Sequence, residues 1–235
     1  KHLWNTKIQK CYQKESTDSR SFLKMSKCRL FIVRHTESLG NIEGRLTGRR
    51  DYPLTENGKK YVKLLTEKLK DIKFDAAYSS TSGRAEKTIE PLAILNHLKI
   101  HEKEGLCEMY FGIYNGWKWE DVNRINPQIR QTQIEINEIA GIPEQESTEE
   151  TADRMYHCIQ EIAEENMGKT VLIASHGVAI EAFLRKITGV KFAYEKEKYC
   201  QYNTAINELE YENKEFKILR IADMSHINNS TIKEN

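Results

Sequence analysis

The chain carries two continuous apolar runs, Leu30 to Val33 and Val171 to Ala174, and a third, mostly apolar one, Phe74 to Tyr78. Each ends abruptly in residues suited to an anion: Arg34-His35 after the first, Ser79 to Arg84 after the segment ending at Tyr78, and Ser175-His176 after Ala174. A short apolar run without alternation reads as a strand buried on both faces, as in the parallel sheet of an α/β domain. Ligands of open α/β sheets collect beyond the carboxyl ends of the strands, where these polar residues would lie.

Helical patterns separate the runs. Thr55 is placed to cap a helix whose apolar residues Tyr61, Val62, Leu65, Leu69 and Ile72 share a face. Ser79-Ser80-Thr81-Ser82 reads as a turn offering caps, and Arg84 to Leu95 as the next helix. Ser147 and Glu150 match a capping box before a helix with Met155, Tyr156, Ile159, Ile162 and Ala163 on one side. A further helix follows Ser175-His176-Gly177 and runs through Ile187, and two later strands, Ile206 to Tyr211 and Phe216 to Ile221, flank Glu212-Asn213-Lys214-Glu215. The stretch from Tyr110 to Pro143 is irregular and reads as a small, partly helical cap with Trp117 and Trp119 in its core. The expected fold is α/β, a three-layer sandwich with a mostly parallel central sheet and helices on both faces.

Composition narrows the functional classes. Lysine plus arginine (36) nearly cancels aspartate plus glutamate (35), so no global field draws nucleic acid or an anionic membrane, and any basic site is local. The five cysteines are scattered and form no C-x-x-C pair, against a disulfide framework or zinc site and in keeping with a reducing cytoplasm. No apolar run approaches the roughly 20 residues of a membrane span, and the first residues lack the apolar core of a signal peptide. A cytoplasmic protein is expected, its oligomeric state unread. Residues 1–27 read as an extension, with Met25 either a natural start or part of an ordered arm or added segment; 28–222 read as one domain and 223–235 as a polar tail.

An arginine offers a planar fork of donors for a phosphoryl group, and a histidine serves as nucleophile or cationic donor. Arg34, His35, Arg84 and His176 converging would form an anion pocket without metal, and Glu108, after Leu106-Cys107, is the candidate acid for a leaving oxygen. His97 and His101 sit four apart with no acidic partner at metal-ligand spacing and are expected to be solvated; His157 lies off its helix's apolar face. Arg49-Arg50 reads as a charged turn, with recognition of a second anionic group as the alternative.

The stretch Leu30-Phe31-Ile32-Val33-Arg34-His35-Thr36-Glu37-Ser38-Leu39-Gly40-Asn41 resembles the arginine-histidine motif of the histidine phosphatase superfamily, which includes the cofactor-dependent phosphoglycerate mutases and many small phosphatases. Gly44 to Gly48 with Asp51 to Gly58, Ser79-Ser80 with Arg84-Ala85-Glu86-Lys87-Thr88, Glu108 with Phe111-Gly112 and Gly116, and Ser175-His176-Gly177 follow in that family's order. Together they span Arg29 to Ala222, and their register makes the resemblance specific. It implies that 28–222 is a catalytic domain in which His35 attacks phosphorus, with no metal and no cofactor. Arg34, Arg84 and His176 would bind the phosphoryl oxygens, Glu108 would move the proton, and Asn41, Thr47 and Gly48 would add contacts to a small phosphate ester. Two departures stand out: Thr36 replaces the usual glycine after the histidine and is expected to crowd any backbone reserved for glycine, and Ser80 to Gly83 differ from the usual loop before the second arginine.

Three alternatives stay open. A cofactor-dependent phosphoglycerate mutase would carry a longer arginine- and proline-rich insertion, whereas residues 110–146 hold only Pro127 and Pro143. A non-catalytic relative would bind phosphorylated ligands without turnover. A serine esterase at Ser175 would need glycine two residues to either side, where Ile173 and Gly177 stand.

Overall fold

The structure, a computed structural model, describes residues 26–136, 138–192 and 194–227; the extension before residue 26 and the last eight positions of the expected tail, 228–235, lie outside the described residues. Strands β1 (Cys28–Arg34), β2 (Ala76–Ser79), β3 (Ile100–Glu102), β4 (Thr170–Ser175), β5 (Ile206–Glu212) and β6 (Glu215–Asp223) form one sheet in the order β3-β2-β4-β1-β5-β6. The first four neighbours in that order are parallel; β5 runs antiparallel to β1, and β6 to β5. The α/β sandwich expected from the sequence is the fold observed.

Helices α1 (Leu39–Ile42), α2 (Glu56–Leu69), α3 (Gly83–Leu95), α4 (Trp119–Ile125), α5 (Pro127–Ile136), α6 (Thr148–Glu165), α7 (Gly177–Thr188) and α8 (Lys196–Tyr199) connect the strands. Alternation along β1 divides its side chains between two cores. Leu30 and Ile32 pack with Ile159 and Ile162 of α6 and Ile180 and Phe183 of α7. Phe31 and Val33 join Leu65 of α2 and Ile89 and Leu92 of α3 on the opposite face. Full burial of such a side chain contributes about 1.5–3 kcal/mol, which is why both faces of the strand must be apolar. Two caps start helices where the sequence places them: Thr55 Oγ1 accepts the Gly58 N–H at 2.8 Å, and Ser147 and Glu150 bond reciprocally.

The register levels the carboxyl ends of β1, β2 and β4. Arg34 lies opposite Ser175, and both Val33 and Ser79 lie opposite Ala174. His35, Ser80 and His176, each one residue further on, therefore leave the sheet along the same edge. Over that edge the cap packs on its own core of Leu46, Met109, Phe111, Tyr114, Val122, Ile129 and Ile142, with Trp119 against it. Trp117 departs from expectation: it is 43% exposed and meets the edge of the Tyr114 ring, because the turn at Gly116 carries it to the cap's rim.

Three further observations concern boundaries. Leu98-Lys99-Ile100 reads in sequence as a helix-to-strand transition, and strand β3 begins there with Ile100 as its single apolar residue, held by pairing with β2 from Ala77↔Ile100 to Ser79↔Glu102. Ile72 lies beyond the end of α2 while still packing against its core. The fold also passes residue 222, since β6 runs through Asp223 and Ile227 is buried. The β5–β6 hairpin turns on Asn213 and Lys214, both at positive φ (54° and 65°), the twist a two-residue connection requires. No helix among the described residues is long and apolar enough to cross a membrane.

Candidate active site

His35 and His176 meet where β1 and β4 end. Their ring centroids are 5.1 Å apart, tilted by 57°, and both side chains are buried. The His35 N–H donates to the Ser175 carbonyl at 2.9 Å, extending the strand pairing one residue past the sheet, and His176 is the N-cap of α7.

The ring of His35 is oriented by the next residue. Its Nδ1 lies 2.7 Å from the Thr36 carbonyl oxygen, which can only accept, so the proton sits on Nδ1 and the lone pair on Nε2. Burial, followed by the charges of Arg84 and Arg34, holds its pKa well below the ordinary histidine value. At neutral pH the ring is a neutral imidazole with Nε2 available. Thr36 does not crowd this geometry: its φ is not positive, its hydroxyl donates to the Gly58 carbonyl at 2.9 Å, and its N–H donates to Thr88 Oγ1 at 2.9 Å. The strain expected from replacing glycine is absent because the turn here never enters the left-handed region.

Arg84 stands in the first turn of α3 and is 1% exposed. Its Nη2 donates to the Gly48 carbonyl at 2.9 Å and to His176 Nδ1 at 3.0 Å; Nη1 reaches the Arg50 carbonyl at 2.6 Å and Asp51 Oδ1 at 3.3 Å. His176 Nε2 lies 2.7 Å from Ser80 Oγ. Burial and then the Arg84 charge depress the pKa of His176 as well. Arg34 donates through Nη1 to the Gln201 carbonyl, and its pKa is lowered by burial against the opposing pull of Glu108. The Nε–H groups of both arginines are buried without a hydrogen-bond partner. An unpaired buried donor costs about 1–3 kcal/mol, and both guanidinium charges act on the His35 ring.

Glu108 lies against the start of α7. Its Oε1 accepts from the Met109 and Ala179 amides at 2.9 Å each, and Oε2 from Val178 at 3.3 Å. A helix N-terminus favours a negative charge, so α7 holds the carboxylate next to its own N-cap, His176. A Cβ on Gly177 would stand 3.3 Å from Arg34 Nε, so glycine lets that guanidinium lie against the helix start.

The other residues singled out in the sequence divide. Gly48, at φ +50°, supplies the carbonyl that Arg84 grips, and Thr47 is buried beside it. Asn41 Oδ1 accepts from both the N–H and the hydroxyl of Ser38 at 2.9 Å, capping α1. Arg49 pairs with Glu146 at 3.7 Å and Arg50 Nε donates to the Asn115 carbonyl at 3.1 Å, so both side chains of that turn have protein partners. His101 stacks near Tyr78, with centroids 5.6 Å apart, and His157 against Tyr156 at 5.7 Å. Ser175 Oγ donates to the Leu106 carbonyl at 2.7 Å and is fully buried, which turns it away from nucleophilic use.

Several supporting residues gave no signal in sequence. Asn203 Nδ2 donates to the His35 carbonyl at 2.9 Å, and the Thr204 N–H to the Arg34 carbonyl at 3.1 Å. Thr204 holds φ +64°, a strained setting for a β-branched residue, and its hydroxyl lies 2.9 Å from His226 Nε2. Ser80 stands out in sequence through the cap-rich turn and the Ser79-Ser80 motif, but its bond to His176 does not.

Residues 30–224 match the model of the histidine phosphatase superfamily (branch 1). The chain belongs to that superfamily. It is 27% identical over 183 residues to the probable phosphoglycerate mutase GpmB of Yersinia pestis (strain Pestoides F), across 78% of this chain and 85% of that one. Among solved structures, Bacillus stearothermophilus YhfR superposes with a TM-score of 0.80 at 26% identity, covering 86% of this chain and all (100%) of the other. A phosphoserine phosphatase from Entamoeba histolytica shares the fold, with a TM-score of 0.73 at 22% identity over 86% of this chain and 100% of that one. This member of the superfamily thus stands among relatives that bear both mutase and phosphatase names.

Proposed function

We propose that the protein is a phosphomonoester hydrolase that acts on a small phosphorylated metabolite through a phosphohistidine on His35, without metal or cofactor. The observation that carries this reading is the pair of buried, partnerless Nε–H groups of Arg34 and Arg84 beside a neutral His35 whose Nε2 lone pair is free. In the first step Nε2 attacks phosphorus in line, the N–P bond forms and the P–O bond to the leaving group breaks. Arg34 and Arg84 stabilise the charge spread over the phosphoryl oxygens, aided by His176, with Asn41, Thr47 and Gly48 assigned lesser contacts to the same group. Glu108 passes to the leaving oxygen a proton brought in by the monoester monoanion. In the second step it recovers a proton from the attacking water, and the N–P bond breaks to release inorganic phosphate. We further assign the enzyme to the cytoplasm, with a free phosphate ester as substrate and neither nucleic acid nor membrane as partner.

The test is phosphate release from a broad panel of monoesters, with wild type and His35→Ala, in the presence of chelator. Chelator-resistant release that disappears in the variant supports the reading; silence across the panel, or undiminished release from the variant, overturns it. A mutase is the second reading, favoured by the likeness to the Yersinia protein. Transfer between positions of a phosphoglycerate that depends on a bisphosphoglycerate primer would select it.

A further inference from the structure

We propose that Thr36 is a positioning residue: its hydroxyl, bonded to α2, holds in place the carbonyl that selects the reactive tautomer of His35, while its N–H ties the nucleophile to the helix that carries Arg84. The inference rests on the reading of His35 as nucleophile and adds to it a device that a glycine after the histidine could not supply.

The bonds form one continuous chain. His35 Nδ1–H donates to the Thr36 carbonyl at 2.7 Å, Thr36 N–H donates to Thr88 Oγ1 at 2.9 Å, and Thr88 Oγ1–H donates to the Arg84 carbonyl at 2.7 Å. From the same residue, Thr36 Oγ1–H donates to the Gly58 carbonyl at 2.9 Å, in the first turn of α2. Both threonines are fully buried, so water does not compete for any of these groups. Thr36 is thus held from two helices on the same sheet face: α3 through Thr88, which grips the peptide before it, and α2 through Gly58, which grips its side chain, leaving the carbonyl on its far side facing His35.

The consequence is chemical as well as structural. A histidine presents a nucleophilic Nε2 only while its proton stays on Nδ1, and here a single carbonyl keeps it there. If the Thr36 peptide rotates, that acceptor moves off Nδ1, the second tautomer gains population, and Nε2 becomes a donor. Thr88 offers its one hydroxyl proton to Arg84, which leaves its oxygen lone pair facing Thr36 N–H.

The test compares Thr36→Val, nearly isosteric and lacking the hydroxyl, with Thr36→Ser, which restores it, and with Thr36→Gly in case valine does not fold. Two readouts are used: kcat and KM on a monoester that the wild type hydrolyses, and the His35 tautomer from nitrogen chemical shifts of labelled protein. The valine and glycine variants are expected to lose kcat about 10- to 100-fold, with KM held within about twofold and mixed tautomer signals. The serine variant is expected to retain wild-type kcat and a pure Nδ1–H signal. Wild-type kcat together with an unchanged tautomer in Thr36→Val, or in Thr36→Gly where valine does not fold, overturns the proposal. So does a serine variant as impaired as valine. The tautomer measurement does not depend on turnover, so absence of phosphatase activity in the wild type counts against the functional reading and leaves the positioning claim to be decided by the spectra.

Discussion

Nη2 of Arg84 lies 3.0 Å from Nδ1 of His176, and because a guanidinium only donates, the imidazole must accept there and carry its proton on Nε2, towards Ser80 Oγ at 2.7 Å. The two histidines therefore hold opposite tautomers. His35 is protonated on Nδ1 against a carbonyl, whereas His176 is protonated on Nε2 against a hydroxyl. The difference suits the separate tasks proposed for them, in which one ring exposes a lone pair and the other serves as a fixed, neutral donor.

Arg84→Lys tests whether this fork matters beyond its charge. Lysine keeps a cation but cannot reach the carbonyls of Gly48 and Arg50 and His176 Nδ1 together. The expected result is a loss of about 100-fold or more in kcat/KM, and destabilisation of about 2–4 kcal/mol by urea unfolding, as buried acceptors are left unpaired. Activity within a few-fold of wild type would show that the fork has no special role.

Gly48→Ala addresses the turn that feeds Arg84. At φ +50° an added Cβ is strained, and it would stand 1.8 Å from Asn115 Oδ1. The backbone part costs about 1–2 kcal/mol and the collision adds to it. Pairing the change with Asn115→Ala should recover the collision and leave the φ penalty, so the double variant is expected to be more stable than Gly48→Ala alone. Equal stabilities would place the cost elsewhere.

Stability should fall in mild acid. His226 is lowered to about 4 by burial, and His35 and His176 are depressed in the same direction. The unfolded chain binds protons on these rings from about pH 6.5 downward while the folded chain resists them, so unfolding is favoured as pH drops from about 6.5 towards 4. Urea midpoints measured across that window should decline, and less steeply in His226→Gln. A midpoint that rises on acidification would contradict these histidine environments.

The same depression sets the rate profile. Burial, Arg84 and Arg34 keep His35 neutral well below the ordinary histidine value, so the acid limb of kcat/KM, corrected for substrate ionisation, should lie below pH 6.5. In Arg34→Gln one of the three causes is removed, and the limb should move to higher pH. A wild-type limb at or above pH 6.5 would mean that His35 is not the group being titrated.

Much of this architecture was legible from residues 28 onward. Leu30 to Val33 and Val171 to Ala174 are apolar on both faces because each lies between neighbouring strands and under helices on either side, and that burial leaves a plain mark in sequence. Thr55 and Ser147 mark helix starts by local chemistry. What escaped notice depends on distant partners. Asn203 is 168 residues from the His35 carbonyl it holds, and a lone polar residue in a loop carries no trace of such a contact. Strand β3, at the sheet edge, needs little apolar character to pair, so its course past Ile100 leaves little mark. Thr36 was expected to strain the backbone, and only the positions of Gly58 and Thr88 reveal that its hydroxyl and amide are both used.

The central claim is that phosphate passes through His35, and rapid quench of the enzyme with a labelled monoester, under alkaline conditions that preserve phosphohistidine, tests it most directly. Peptide mapping is expected to place an acid-labile phosphate on His35, absent from His35→Ala and, with an activated aryl phosphate whose leaving group needs no proton, accumulating in Glu108→Gln, where loss of the carboxylate slows attack by water. Phosphate release with no label on His35, or with label on Ser175 instead, would contradict a phosphohistidine route.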